Sequence, residues 1–226
     1  MGTDDSRYGP PTPTEREAFL LGLYFGTERP FIDRAIDRAY LDLSRTLHGI
    51  ARKQNRADLR KNSSRLLREA LLRVESSSSS QDAFDSWHRE LSTSLIDVFE
   101  KGGFPDFTVG QAQKWINMAV KYVALFGDLA EFCLTALMQV GHMPIDSIIL
   151  DRLVSMGLSP DLRPRAWSRV QSYDSYMALQ MWVRTRFAGS SPLVVEFHLW
   201  KPVGKRARAT TTVASATVSA CAEPQD

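Results

Sequence analysis

The sequence predicts an all-α protein, a two-lobed bundle of helices, and three observations carry that expectation. Apolar residues recur at three- and four-residue spacing in segment after segment. Helix-capping and helix-stopping residues fall between those segments. No stretch alternates apolar and polar residues for long enough to form a half-buried strand.

The elements follow in order. Residues 1–13, rich in Pro, Gly and polar side chains, form a disordered lead. Thr14 with Glu17 has the pattern of a capping box opening a helix that ends near Phe25. After Pro30, the residues Phe31, Ile32, Ala35, Ile36, Ala39, Tyr40, Leu43 and Leu47 make one apolar face. Leu59, Leu66, Leu67, Ala70, Leu71 and Val74 make the next, over Arg56–Glu75. The run Ser76–Ser80 breaks that helix; a fourth starts with Phe84 and Trp87 and stops at Lys101-Gly-Gly-Phe-Pro105. These helices form an N-terminal lobe over 14–101.

A second lobe is expected over 102–200. Its first helix runs from Val109 to Phe126 and buries Ala112, Ile116, Ala119, Val120 and Val123. Asp128 with Glu131 caps a helix that is apolar nearly all round to Val140, which places that helix in the middle of the bundle. Asp146 stands as the N-cap of a further helix. Later helices are expected over Arg165–Val170, Ser172–Phe187 and Pro192–Trp200, and residues 201–226 read as a flexible tail.

Composition narrows the function. Among 226 residues, 28 Lys and Arg face 26 Asp and Glu, so the net charge of +2 names no partner. The two cysteines, Cys133 and Cys221, and four scattered histidines have no metal-ligand spacing, so neither a metal nor an organic cofactor is expected. No apolar run is long enough to span a bilayer, and the N-terminus lacks the pattern of a signal peptide. The expectation is a soluble intracellular protein with no membrane role.

Charge is unevenly spread. Between Arg45 and Arg73 nine basic residues face two acids, Asp58 and Glu69. Arginine forks suit phosphate oxygens, which makes Arg52, Arg56 and Arg60 candidate nucleic-acid contacts.

Three motifs in the second half carry potential chemistry. Lys114-Trp-Ile-Asn-Met-Ala-Val-Lys121 puts two lysines two turns apart on one helix face. Met143-Pro-Ile-Asp146 precedes an apolar helix. Pro192-Leu-Val-Val-Glu-Phe-His-Leu-Trp200 sets an acid and a tryptophan four residues apart. Together, over roughly residues 102–200, they resemble the helix-hairpin-helix DNA glycosylases, most closely the archaeal branch that excises 8-oxoguanine. That family has a lysine opening a helix, a second lysine seven residues on, a Pro-Val-Asp triplet about 32 residues after the first, and an acid–tryptophan pair near its end. Here Lys114 and Asp146 are 32 apart, and the triplet reads Pro144-Ile-Asp146.

The resemblance implies a bifunctional glycosylase and abasic-site lyase acting on double-stranded DNA, with Lys114 as nucleophile and Asp146 as electrostatic stabiliser. It implies a base pocket of Pro144, Glu196 and Trp200. Lys121, Gln111 and Gln113 are expected to reach DNA, and Gly110 to offer its N–H to a phosphate. The residue types suit the task. An amine nucleophile must be neutral, a sugar losing its base needs a fixed carboxylate, and an extruded base needs an aromatic platform. The sequence departs from the superfamily at its Leu-Pro-Gly-Val-Gly hairpin, which here reads Phe104-Pro-Asp-Phe-Thr-Val-Gly110 with one glycine beside the helix. The alternative readings are a non-catalytic helical module that grips nucleic acid and a protein-interaction module of the same fold.

Overall fold

Capping side chains set where the helices begin. In the computed structural model, which describes residues 9–74, 80–126, 134 and 136–200, the first cap is Thr12 rather than Thr14. The Thr12 hydroxyl accepts from Glu15 N at 3.3 Å, and the Glu15 carboxylate accepts from Thr12 N at 2.7 Å. Pro13 fits the first helical position because its missing N–H would have had no partner there. The box therefore sits two residues earlier than the sequence reading placed it, and α1 spans Pro13–Phe25.

Then come α2 (Phe31–Ser44), α3 (Arg56–Leu72), α4 (Gln81–Lys101) and α5 (Val109–Phe126). They are followed by α6 (Leu137–Val140), α7 (Ser147–Ser155), α8 (Tyr173–Arg186) and α9 (Pro192–Leu199). Ser80, Ser172 and Ser191 each accept a backbone N–H three residues on and so start α4, α8 and α9. The described residues contain no strand, and the all-α expectation holds. No helix among them is long and apolar enough to cross a membrane. Of the disordered lead expected over 1–13, residues 1–8 lie outside the described residues, as do the cap at Asp128 and Glu131 and the tail over 201–226, while Thr12 and Pro13 already belong to the start of α1.

The central helix is α5. Every residue from Val109 to Ala124 is buried, including Gln111, Gln113, Lys114, Asn117 and Lys121. The periodicity of this segment predicts a one-faced helix, and the structure differs; the helix expected to run from Asp128 to Val140 lies mostly outside the described residues. The reason for the difference is that α2, α4, α6, α8 and the 3-10 turn Trp167–Arg169 surround α5 together. Its polar residues meet protein instead of water.

Two apolar clusters meet along it. One joins α2, α3 and α4 to Ala112, Trp115, Ile116, Ala119 and Val123 of α5. The other joins Val109 to Met143, Ile145, α7, α8 and Val195. The Trp115 indole N–H donates to Ile36 O at 3.1 Å, which satisfies the one polar atom of a side chain buried between α2 and α5.

The segment Arg165–Val170 is not the helix expected of it. Only Trp167–Arg169 forms a 3-10 turn, lying against the first turn of α5. Gly110 N donates to Val170 O at 2.9 Å, and the Thr108 hydroxyl donates to Ser168 O at 2.8 Å. A Cβ at position 110 would come within 1.9 Å of Trp167 O, so only glycine permits this approach.

Candidate functional site

Lys114 and Lys121 share one face of α5, and each meets a carboxylate. Lys114 Nζ lies 2.7 Å from Asp146 Oδ2, and Lys121 Nζ lies 2.6 Å from Glu196 Oε2. These are buried pairs, with side chains 6% and 17% exposed in the first and 10% and 2% in the second. Ions removed from water persist only with partners, so within each pair one member keeps the other from being orphaned.

Asp146 does two jobs with its two oxygens. Oδ1 accepts from Ile149 N at 2.9 Å and starts α7, while Oδ2 takes the Lys114 ammonium. Burial pushes the Glu196 carboxyl above its ordinary range. The charges of Lys121 and Lys114 pull it back in part, and the Asp146 charge adds to the rise. Three charged groups therefore act on Glu196, two positive and one negative. Trp200 ends α9 beside them, half exposed, with the Lys121 ammonium 5.4 Å from its ring centroid.

Side-chain amides hold the segment that delivers Asp146. Gln180 accepts from Met143 N at 3.0 Å and donates to Met143 O at 2.9 Å. Gln113 accepts from Ile145 N at 3.1 Å and donates to Ile145 O at 2.8 Å. Met143 and Ile145 alternate along an extended chain, and each glutamine pairs with one of them as a neighbouring strand would. Asn117 adds a hydrogen bond to Met143 O at 3.3 Å. Two rows of amides thus fix the 143–146 segment against α5 and α8, and with it the Lys114–Asp146 distance.

Gln113→Leu would remove that clamp and leave Ile145 N and O buried without partners. Each buried orphan costs about 1–3 kcal/mol, so a loss of roughly 2–4 kcal/mol is expected in urea denaturation. A change under about 0.5 kcal/mol, the usual range for a surface site, would show that Gln113 is not the clamp.

Behind the clamps runs a buried polar relay. Asn117 donates to the Tyr176 hydroxyl at 2.8 Å, which meets His142 Nδ1 at 2.8 Å. His142 Nε2 lies 2.7 Å from Asp85 Oδ1, and Arg184 grips both Asp85 oxygens at 2.6 and 2.8 Å. His88 Nδ1 lies 2.7 Å from the Tyr173 hydroxyl.

Burial lowers the pKa of both histidines; at His142 it outweighs the upward pull of Asp85. Burial alone would raise Asp85, but hydrogen bonds from His142 and Arg184 hold it well below the usual carboxylate range. The unfolded chain takes up protons on these imidazoles below about pH 6.5, before the folded chain does. Their contribution to stability is complete above that pH and falls as pH drops through it. The slope is at most about 1.4 kcal/mol per pH unit for each histidine. Asp85 adds a second loss below about pH 3.9. Melting temperature should therefore fall between pH 6.5 and 5; a flat profile over that range would contradict the buried neutral histidines.

The remaining expected site residues divide clearly. Pro144 is buried in the clamped segment. Glu196 is buried and ion-paired, so its carboxylate is not open to a base edge in this arrangement. Gln111 and Gln113 face inward, contrary to the reading that they reach DNA. Gln111 accepts from Thr108 N at 3.0 Å and donates to Thr46 O at 2.8 Å, tying the start of α5 to the end of α2. Gly110 is also corrected, because its N–H is taken by Val170 O and is not free for a phosphate.

Arg52 and Arg56 are exposed beside α3, while Arg60 pairs with Asp37 at 2.9 Å. Sequence reasoning missed Gln180, Tyr176 and the Asp85–His142–Arg184 hub; only His142, next to the Met-Pro-Ile-Asp motif, offered a clue. Among the described residues no group of three or more His, Cys, Asp or Glu side chains could hold a metal.

Compared with family models, curated proteins and solved structures, the chain matches none.

Proposed function

We propose that the chain is a bifunctional DNA glycosylase and abasic-site lyase of the helix-hairpin-helix type, acting on double-stranded DNA as a monomer without metal or organic cofactor, in the cytoplasm at the nucleoid. One observation carries the reading. The five residues singled out by motif, far apart in sequence, form one assembly of Lys114 on Asp146 at 2.7 Å, Lys121 on Glu196 at 2.6 Å, and Trp200 over Lys121.

In this reading Asp146 Oδ2 is the nearest acceptor for the proton that the Lys114 ammonium sheds. The neutral amine bonds to the sugar C1′ as the glycosidic bond breaks, the bonding pair leaves with the base, and the shed proton ends on that base. Asp146, again a carboxylate, faces the positive charge on the sugar. Ring opening gives a protonated imine on Lys114, and loss of a C2′ proton then expels the 3′ phosphate. The exposed Trp200 ring is the platform for the extruded base, and Glu196 holds Lys121 beneath it. The resemblance favours 8-oxoguanine as that base.

A second reading, a helical nucleic-acid-binding module without catalysis, is favoured by the Gly110 N–H being occupied where the superfamily's hairpin grips phosphate. Base release and strand scission measured on duplexes bearing 8-oxoguanine or uracil separate the two. The proposal expects both products from one of them, and neither from Lys114→Ala; DNA binding with no product from any lesion would leave the binding module.

A further inference from the structure

A groove of about 560 Å³ opens between α2 and α3. Arg29, Asp37, Tyr40, Arg56, Arg60 and Lys61 line it, with Ile50 of the 3-10 turn Ile50–Arg52 as an apolar wall. Four cations and one carboxylate leave it formally at +3. Three of the cations are held in place. Asp37 accepts from Arg29 through one oxygen and from Arg60 through the other, the latter at 2.9 Å. The Arg60 guanidinium also lies 4.7 Å from the Tyr40 ring centroid, and Tyr40 in turn packs on the buried Trp115. Arg56 is steadied by a hydrogen bond to Ala51 O at 2.5 Å. Burial would raise the Asp37 carboxyl, but its two arginines outweigh that and lower it, so it stays charged.

We propose that this groove is a phosphate-binding site, with Arg56, Lys61 and the outer N–H groups of Arg29 and Arg60 as donors and Asp37 as the positioning residue that aims the two arginine forks. Arginine holds phosphate through paired donors in a fixed plane, so a fork already immobilised on a carboxylate and a ring loses less freedom on binding than a solvated one. Tyr40 is covered by Arg60 and Trp115, so recognition rests on phosphate oxygens rather than on base stacking. The phosphate comes either from a nucleic-acid backbone or from a free phosphorylated small molecule. The site does not depend on Lys114 chemistry and stands or falls separately from it.

Charge alone and preorganised geometry predict opposite signs for one substitution. Asp37→Asn makes the groove more positive, so a merely electrostatic surface would bind phosphate more tightly. A site aimed by Asp37 would bind it more weakly, by roughly tenfold for the loss of two charge-assisted contacts. The full chain is titrated with a fluorescent 20-base-pair duplex and, separately, with inorganic pyrophosphate by calorimetry. Lys61→Glu, an exposed change that spares the fold, is run beside Asp37→Asn, with the exposed Arg165→Glu as a control of equal charge change.

The proposal expects weaker binding in Asp37→Asn and Lys61→Glu, little change in Arg165→Glu, and a salt slope for the duplex reduced by about one in Lys61→Glu. Retention of duplex alone names a backbone phosphate, and retention of pyrophosphate names a free one. Unchanged or tighter binding in Asp37→Asn, equal loss in Arg165→Glu, or no binding of either probe by the native chain would overturn it.

Discussion

Lys114→Ala is expected to lower base release and strand scission by at least about a thousandfold, the scale on which removing a covalent nucleophile is felt. The fold should survive with a lowered melting temperature, because Asp146, 17% exposed, keeps its hydrogen bond to Ile149 N but loses its cation partner. Asp146→Asn is the complementary change. Asparagine is as good an N-cap as aspartate, so α7 keeps its start while the charge facing the sugar is gone. Its expected loss is about a hundred- to a thousandfold in turnover with DNA affinity retained. Turnover measured on one lesion-bearing duplex, with melting curves for both variants, checks the pair. Full activity in Lys114→Ala would remove the nucleophile from the account.

Asp85→Ala is expected to be the most destabilising single change away from the lysine pairs. Its carboxylate is the common acceptor for Arg184 and His142, whose side chains are 17% and 0% exposed. Removing one partner of a buried charge pair costs about 3–5 kcal/mol, and the partial exposure of Asp85 discounts that to about 3 kcal/mol. For a chain of this size that is a fall of roughly 6–12 °C in melting temperature. Asp82→Ala, one turn earlier on the exposed face of α4, should move it by little. Asp85→Asn keeps part of the hydrogen bonding and should fall between the two. Equal melting temperatures for Asp85→Ala and Asp82→Ala would show that the relay carries no stability.

The helices were largely legible in the sequence for local reasons. Caps at Ser172 and Asp146, the stop at Gly102-Gly103 and three- to four-residue periodicity are all short-range signals. The error at Thr14 came from a competing Thr-Glu pair two residues earlier, favoured by Pro13. The total burial of α5 was not legible, because Gln111, Gln113, Lys114, Asn117 and Lys121 have the composition of a solvated face. What buries them is supplied by elements 26 to 79 residues away, such as Met143 against Asn117 and Ile36 against Trp115.

The candidate site was legible only as a pattern. Nothing local to Lys114 or Lys121 names a partner; the resemblance set Asp146 with Lys114 but gave Glu196 the task of reading a base, and its ion pair with Lys121 was not foreseen. The glutamine clamps and the Asp85 hub carry no motif, since any buried amide or carboxylate with the right neighbours would serve. Gly110 stood out as a backbone N–H at a helix start, but what takes that N–H is Val170 O of the same chain rather than a phosphate, with Trp167 packed against its α-carbon.

The central claim is that Lys114 forms a covalent imine with DNA. Borohydride reduction during reaction with duplexes carrying 8-oxoguanine, uracil or an abasic site, followed by peptide mapping of any cross-linked product, tests it most directly. A reduced adduct on Lys114 that disappears in Lys114→Ala is expected. An adduct mapped to Lys121, or none on any duplex while salt-sensitive binding persists, would contradict it.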